Sequence, residues 1–396
     1  MLSEQSAATV RATLPAVAAS LDTITERFYA GMFAARPELL RDLFNRGNQA
    51  AGTQRQALAG SIAAFATHLL DHPDQRPDAM LGRIAHKHAS LGITPEQYAI
   101  VHEHLFAAIV DVLGEAVTPE VAAAWDEVYW LMANALIAIE KRLYDEHGGR
   151  DLRRWEVVER VAETSEVASF RLRPVDGGPV ASFRAGQYVS VRAELPDGAR
   201  QIRQYSLSGA PGESVRQFSV KRVREDGAPD GEVSNHLHAR VDVGSVLELS
   251  EPYGDLVLEG TQDTPVLLAS AGIGVTPMIA MLAHLAETGH RAPVTVVHGD
   301  RSPAHHALRS DHETYTEKLP DASAHFFYER DAEPGTRTGR VDLDGIAVPE
   351  GTRAYLCGPL PFMRAVRAQL IDRGVAPADI HYEVFGPDLW LAQTAA

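Results

Sequence analysis

The change of pattern at Gly148-Gly149-Arg150 constrains what this sequence can fold into more than any other feature. Up to Tyr144 the apolar residues recur at helical spacing, and β-branched alternation is scarce. From Trp155-Glu156-Val157-Val158-Glu159-Arg160-Val161 onward the chain alternates, with turn signals at Asp176-Gly177-Gly178 and Pro196-Asp197-Gly198. Periods of 3.6 and 2 present their buried faces differently, so the glycines mark a boundary between separately packed domains. A third pattern, a buried strand running into a glycine loop and a helix, begins near residue 265. The 396 residues leave room for two or three domains, and 45 % apolar content gives each a core. The expected architecture is multidomain: an all-α domain over 1–147, an antiparallel β-barrel over 151–260, and an α/β domain with a parallel sheet over 261–396.

Bulk properties narrow the partners. A formal charge of -16 argues against nucleic acid or anionic membranes as main partners. A single cysteine, Cys357, allows no internal disulfide and suits a reducing compartment. Met1-Leu2-Ser3-Glu4-Gln5 has neither the basic nor the apolar region of a secretory signal, and no apolar run is long enough to span a bilayer. A cytoplasmic monomer is expected.

In the helical part, Thr94-Pro95-Glu96-Gln97 is a capping box with proline at the first helical position, Thr118-Pro119 repeats the device, and Pro37-Glu38 opens a shorter helix. Six or seven helices follow. The stretch Ile84-Ala85-His86-Lys87-His88-Ala89-Ser90-Leu91-Gly92 reads as a helix end closed by Gly92. His88 falls on the apolar stripe and His86 on the opposite side. A single imidazole on an apolar helical face suits an axial haem ligand; a hydrogen-bonded core histidine is the plainer alternative. Glu140 has Leu136, Ile137, Leu143 and Tyr144 as its stripe neighbours, so its carboxylate points inward and needs a partner, with Tyr98 and His88 as candidates. Tyr29 precedes Met32 and Phe33 at one turn, placing a phenol on an apolar face, and Gln54 and Leu58 share another.

Taken together, Arg27-Phe28-Tyr29-Ala30-Gly31-Met32-Phe33, Leu43-Phe44-Asn45, Gln54-Arg55-Gln56-Ala57-Leu58, Lys87-His88 and Pro95-Glu96-Gln97-Tyr98 resemble the globin domain of flavohaemoglobins. The resemblance implies haem b with His88 as the proximal iron ligand and Tyr98 and Glu140 as the partners of that histidine. It implies Phe44 packed on the porphyrin, Lys87 among the cofactor residues, and Tyr29, Gln54 and Leu58 lining the distal pocket.

In the alternating region Gly186-Gln187-Tyr188 precedes Arg203-Gln204-Tyr205-Ser206-Leu207. Alternation sends Arg203 and Tyr205 to one face and Gln204 and Ser206 to the other. An arginine beside an aromatic can hold a phosphate while the ring stacks on a planar cofactor. Gly231-Glu232-Val233-Ser234 reads as a turn feeding a helix whose first N–H groups face an anion. The pair resembles the FAD-binding module of the ferredoxin–NADP reductase superfamily. That implies Arg203 and Ser234 on the pyrophosphate, Tyr205 and Ser206 at the isoalloxazine with Gln204 near it, and Tyr188, Gly231 and Val233 in the same site.

Pro265 to Met278 is the strand, loop and helix already noted, with the helix expected from about Pro277 to Glu287 and a strand from Pro293 to Gly299. Ala271-Gly272-Ile273-Gly274-Val275-Thr276-Pro277-Met278 is not the Gly-x-Gly-x-x-Gly of dehydrogenases but resembles the reductase-superfamily version. The resemblance places NADH or NADPH against Gly272, Gly274, Thr276, Pro277 and Met278, and against Cys357, Gly358 and Pro359. His381-Tyr382-Glu383-Val384-Phe385-Gly386-Pro387 looks like the family's terminal motif, with Phe385 over the flavin, Glu383 near the hydride path, and Gly386 and Pro387 completing the site. Arg301-Ser302 follows a strand and is a candidate for a 2′-phosphate, which leaves NADH and NADPH both open.

The activity implied by the whole resemblance is a nitric oxide dioxygenase, drawing electrons from NAD(P)H through FAD to haem iron and turning O2 and nitric oxide into nitrate. Two alternatives stand beside it: a reductase of peroxides or quinones, and an oxygen or nitric oxide sensor, against which the reductase modules and the lack of an output domain argue.

Overall fold

The computed structural model describes residues 1–224, 229–260 and 262–386. By contacts the chain forms two compact units: residues 1–151 with 194–202 and the end from 386, and residues 152–193 with 203–385.

The first unit is helical: α1 (Glu4–Ala35), α2 (Pro37–Asp42), α3 (Arg46–Ala50), α4 (Thr53–Asp71), α5 (Asp78–Ser90), α6 (Pro95–Leu113) and α7 (Pro119–His147). Its core forms where Ile24, Phe28, Tyr29 and Met32 of α1 meet Leu105, Ala108 and Ile109 of α6. Ile24 and Phe28 are almost wholly buried, and each contributes about 1.5–3 kcal/mol relative to an exposed side chain. The capping box at α6 is present, with Gln97 Oε1 accepting from the Thr94 N–H at 2.8 Å. Thr118 Oγ1 caps α7 by accepting from Val121 N–H at 3.3 Å. Gly148 ends α7 at φ 77°, a left-handed conformation in which a side chain would be strained.

Two sheets follow, in the second unit except for residues 194–202, which belong to the first. β1 (Arg153–Ala162), β2 (Val167–Pro174), β3 (Tyr188–Glu194), β4 (Arg200–Ser206), β5 (Arg216–Lys221) and, after helix α8 (Glu232–Arg240), β6 (Val246–Leu249) line up in the order β4-β3-β6-β1-β2-β5. The pairs β1–β2, β1–β6, β2–β5 and β3–β6 are antiparallel. Leu207, just past β4, bridges Phe218 of β5, so the last strand meets the first and the sheet closes on itself.

The other sheet is parallel: β7 (Val266–Ala271), α9 (Val275–Glu287), β8 (Val294–Asp300), α10 (Arg309–Glu317), β9 (Ala322–Tyr328), β10 (Arg337–Thr338), β11 (Arg353–Cys357), α11 (Leu360–Asp372) and β12 (Ile380–Glu383), in the order β10-β9-β8-β7-β11-β12. β7 and β8 are buried along almost their whole length, as strands covered on both faces are. The strand order reverses between β7 and β11, which opens a crevice at their carboxyl ends, where such sheets bind ligands. Helix α9 begins at Val275, two residues before the expected start, because the tight turn Gly272–Gly274 runs straight into it.

Candidate functional site

On the helical unit the sequence-predicted polar residues come together. His88 sits in the last turn of α5. Its Nδ1 lies 2.9 Å from both Glu140 Oε1 of α7 and Tyr98 OH of α6. Glu140 is 2 % exposed, and the same Oε1 also accepts from the Tyr98 hydroxyl. Burial, then the Glu140 charge, pushes the Tyr98 phenol well above its ordinary range, so it stays protonated and donates. Tyr129 OH donates to the Tyr98 carbonyl at 2.6 Å and Tyr144 OH to the Ile93 carbonyl at 2.8 Å, fixing the segments on either side. With Nδ1 committed to a carboxylate, the other ring nitrogen, Nε2, takes no hydrogen bond among the described residues. An imidazole oriented from behind and free in front is the arrangement a metal-binding histidine needs.

Tyr29, from α1, is buried, and burial raises its pKa, opposed by hydrogen bonding with Gln54 and Gln49. Phe44 meets Tyr29 edge-on at 5.9 Å and Phe33 at 5.3 Å, and Leu58 packs against the same cluster. The result is an apolar cluster with a phenol and an amide set at it. Lys87 Nζ donates to the Gly386 carbonyl at 2.7 Å.

In the barrel, Tyr205 stacks on Phe218 with centroids 5.3 Å apart and rings 15° from parallel, and burial raises its pKa. Arg203, Gln204 and Tyr205 are partly exposed while Ser206 is buried, and Gln204 Nε2 donates to Ser190 Oγ at 3.2 Å. Tyr188 is buried, its ring against Gly254. Gly231 and Val233 lie at the start of α8. There Ser234 Oγ donates to the Gly231 carbonyl at 3.0 Å and accepts from Val223 N–H at 3.1 Å. Its hydroxyl holds the helix entry, so an anion there would meet chiefly backbone N–H groups.

At the crevice of the parallel sheet, pairing sets Cys357 beside Ser270 on one side and Glu383 on the other. Cys357 is fully buried, and burial holds its thiol well above the usual range. A β-carbon on Gly274 would stand 2.2 Å from the Cys357 carbonyl oxygen, so this glycine lets the loop lie on the end of β11 as well as leaving its backbone open to a ligand. Gly272, at φ 52°, faces open space. Thr276 Oγ1 donates to the Ile273 carbonyl at 3.0 Å, and Pro277 and Met278 are buried in α9. Gly358 and Pro359 lead into α11, whose N-cap is Pro359. Phe385 is 46 % exposed, and Pro387 lies outside the described residues.

Two residues escaped the sequence reading. Gln49 acts on Tyr29 beside Gln54, and its Nε2 is buried without a hydrogen-bond partner among the described residues. Gln201 is wholly buried, and its amide donates to the carbonyls of Leu40, Arg41 and Phe44 at 3.2, 2.8 and 3.2 Å, closing the end of α2. A glutamine on a polar strand gives no local sign of such a task. Its one trace is that it lies two residues before Arg203, on the same strand face.

The globin family matches residues 26–136, the oxidoreductase FAD-binding domain residues 154–258, and the oxidoreductase NAD-binding domain residues 268–368. The fold and site thus define an oxidoreductase that joins a globin to flavin- and nicotinamide-binding domains. The chain is 43 % identical to the flavohemoprotein of Bordetella parapertussis over 98 % of its own length and 99 % of that protein's. It is 44 % identical to that of Deinococcus radiodurans, over 98 % of each. The crystal structure of the Malassezia yamatoensis flavohemoglobin, with bound FAD and haem, superposes with a TM-score of 0.90 at 37 % identity, covering 97 % of this chain and all of that one. The chain belongs to the flavohemoprotein family.

Proposed function

We propose that this protein is a nitric oxide dioxygenase that takes electrons from NADH through FAD to haem b and converts nitric oxide and O2 to nitrate. The observation that carries the reading is Glu140 Oε1 engaged at once by His88 and Tyr98. When bound, FAD would split the two electrons of a hydride into single ones, and haem would supply an iron that takes one electron at a time and binds a diatomic molecule. His88 Nε2 would hold the iron. Glu140 and Tyr98 fix the ring and make its nitrogen a stronger donor. Tyr29 would offer its O–H to a diatomic ligand bound there, with Gln54 steadying the phenol, while Leu58 and Phe44 keep its surroundings apolar. In the second unit Arg203 and the first N–H groups of α8 would take the flavin's pyrophosphate, and Tyr205 and Ser206 its ring. The loop from Gly272 to Thr276 would receive the nucleotide, with Cys357 and Glu383 at the edge of the nicotinamide.

NADH is favoured over NADPH because Arg301, the candidate for a 2′-phosphate, is bonded to Glu166 at 2.5 Å, and Ser302 Oγ is engaged with His305 Nδ1 at 2.8 Å. A relative supports the activity: a Vibrio cholerae structure described as the FAD/NAD-binding domain of a nitric oxide dioxygenase is 36 % identical over 60 % of this chain. The test is nitric oxide consumption by the loaded enzyme, with NADH, NADPH and O2 supplied or withheld in turn. The reading expects consumption that needs O2 and reduced nucleotide, prefers NADH, and yields one nitrate per nitric oxide. Nucleotide oxidation that spares nitric oxide but reduces quinones or peroxides would make the chain a reductase. Binding of O2 or nitric oxide without turnover would make it a sensor.

A further inference from the structure

Away from these sites three histidines meet inside the parallel-sheet domain. His298 comes from β8, His306 follows the turn Pro303–His305, and His312 belongs to α10. Each offers a ring nitrogen, and these atoms all lie within 4.8 Å of one another. The three residues are 0 %, 4 % and 0 % exposed. Two of the rings are held from behind. Ser270 Oγ is 2.8 Å from His298 Nδ1, and Tyr328 OH is 2.8 Å from His306 Nδ1. Each bond leaves that ring's Nε2 facing inward. His306 Nε2 meets His312 Nδ1 at 2.9 Å, but Nε2 of His298 and Nε2 of His312 have no hydrogen-bond partner among the described residues. A buried polar atom without a partner is costly and asks for a reason, which an ion would supply at His298 Nε2. Asp300 brings a carboxylate close by: its Oδ2 is 3.7 Å from His298 Nε2, while its Oδ1 accepts from Arg301 N–H.

We propose that His298, His306 and His312 bind one borderline divalent transition-metal ion of the Zn2+ type. The chemistry fits on two counts. Three imidazoles are a donor set for such ions rather than for Ca2+ or Mg2+. Ligating histidines carry a hydrogen bond on the ring nitrogen opposite the metal, as Ser270 and Tyr328 provide here. The adjustment is local. Two nitrogens at about 2.0–2.1 Å from a tetrahedral Zn2+ stand about 3.3 Å apart. The His306–His312 contact therefore opens by a few tenths of an ångström, and the proton between them moves to His312 Nε2. The stacked His298 and His306 rings, now 4.0 Å apart at 21°, turn to converge. The ion would tie β7, through Ser270, to β8 and α10.

The test uses the full, haem- and FAD-loaded chain, produced with added Zn2+ and washed with a chelator. Metal analysis should find one zinc per chain, and zinc K-edge X-ray absorption should show the scattering of imidazole rings at about 2.0 Å. His312→Phe should lose that zinc, whereas His72→Ala should keep it; exposed His72 and half-buried His68, ring centroids 5.0 Å apart, are the place where zinc would bind adventitiously. If His312→Phe does not fold, the wild-type absorption spectrum alone decides. Wild-type protein that keeps no zinc, a spectrum without imidazole ligation, or zinc lost by His72→Ala and kept by His312→Phe overturns the proposal.

Discussion

Two groups of polar residues built on histidine stand in this molecule, and they are wired in opposite ways. Behind His88 a single carboxylate, Glu140, takes both the imidazole and a phenol, while the front of the ring is left free. Around His298 the imidazoles turn towards one another, held from outside by neutral hydroxyls, and the whole group is closed from solvent. Burial differs too, the His88 side chain being 33 % exposed and His298 wholly buried. Beyond burial, what separates them is the partner of the rear nitrogen and what the front nitrogen can reach. A charged rear partner would strengthen His88 as a donor to the one ion proposed for it. Neutral rear partners would leave weaker donors, three of which the second proposed ion would share.

The sharpest break falls on the open side. His88→Ala should abolish haem-iron attachment and nitric oxide turnover, by at least ~100-fold on the scale of losing a residue the chemistry depends on. NADH-driven reduction of an artificial acceptor through FAD should continue, since His88 belongs to the helical unit. Haem content and the two rates, measured side by side, check this. Glu140→Gln keeps the shape and removes the charge, and should lower turnover by roughly 10–100-fold, the usual cost of losing a ligand's rear partner. Tyr98→Phe leaves the Glu140–His88 bond in place and should cost less, about a few-fold, as the loss of one hydrogen bond does.

The grouping of the first set was largely legible in the sequence, because His88, Glu140, Tyr98 and Tyr29 are polar residues set into helical apolar stripes, where a misplaced carboxylate or phenol stands out. The second group was not. His298, His306 and His312 lie on a strand, after a turn and on a helix, with no shared period, and only the parallel sheet brings them together. Gln201 and Gln49 were illegible for a related reason, since an amide fits a surface as readily as a buried cap. The capping box at Thr94, the helix end at Gly148 and the six strands of the barrel were readable because each is a local matter of backbone chemistry. Glycine loops lie between these cases. The strand–loop–helix was plain, but packing of Gly274 on Cys357 required the neighbouring strand.

That packing gives the next prediction, on the closed side. Gly274→Ala puts a methyl group into the Cys357 carbonyl and should destabilise the second unit by about 1–3 kcal/mol, the common cost of overpacking. A lowered unfolding midpoint of the flavin-bearing unit, with His88-dependent haem spectra unchanged, would show it. A smaller effect follows from His238 and His290, whose pKa values burial holds below their ordinary value. Both are neutral in folded and unfolded chains above about pH 6.5, so neither affects stability there. As pH falls below that value the unfolded chain takes up protons first, and the folded state loses stability. His290→Gln should therefore show a shallower fall in melting temperature between neutral and mildly acidic pH than the parent.

The measurement that bears most directly on the account is the iron–histidine stretch of the reduced, ligand-free haem protein, recorded by resonance Raman in the parent and in Glu140→Gln. If Glu140 makes His88 a stronger donor, the parent should show the higher frequency and the variant a clear fall. Equal frequencies in the two proteins would contradict the claim that this buried carboxylate tunes the iron site.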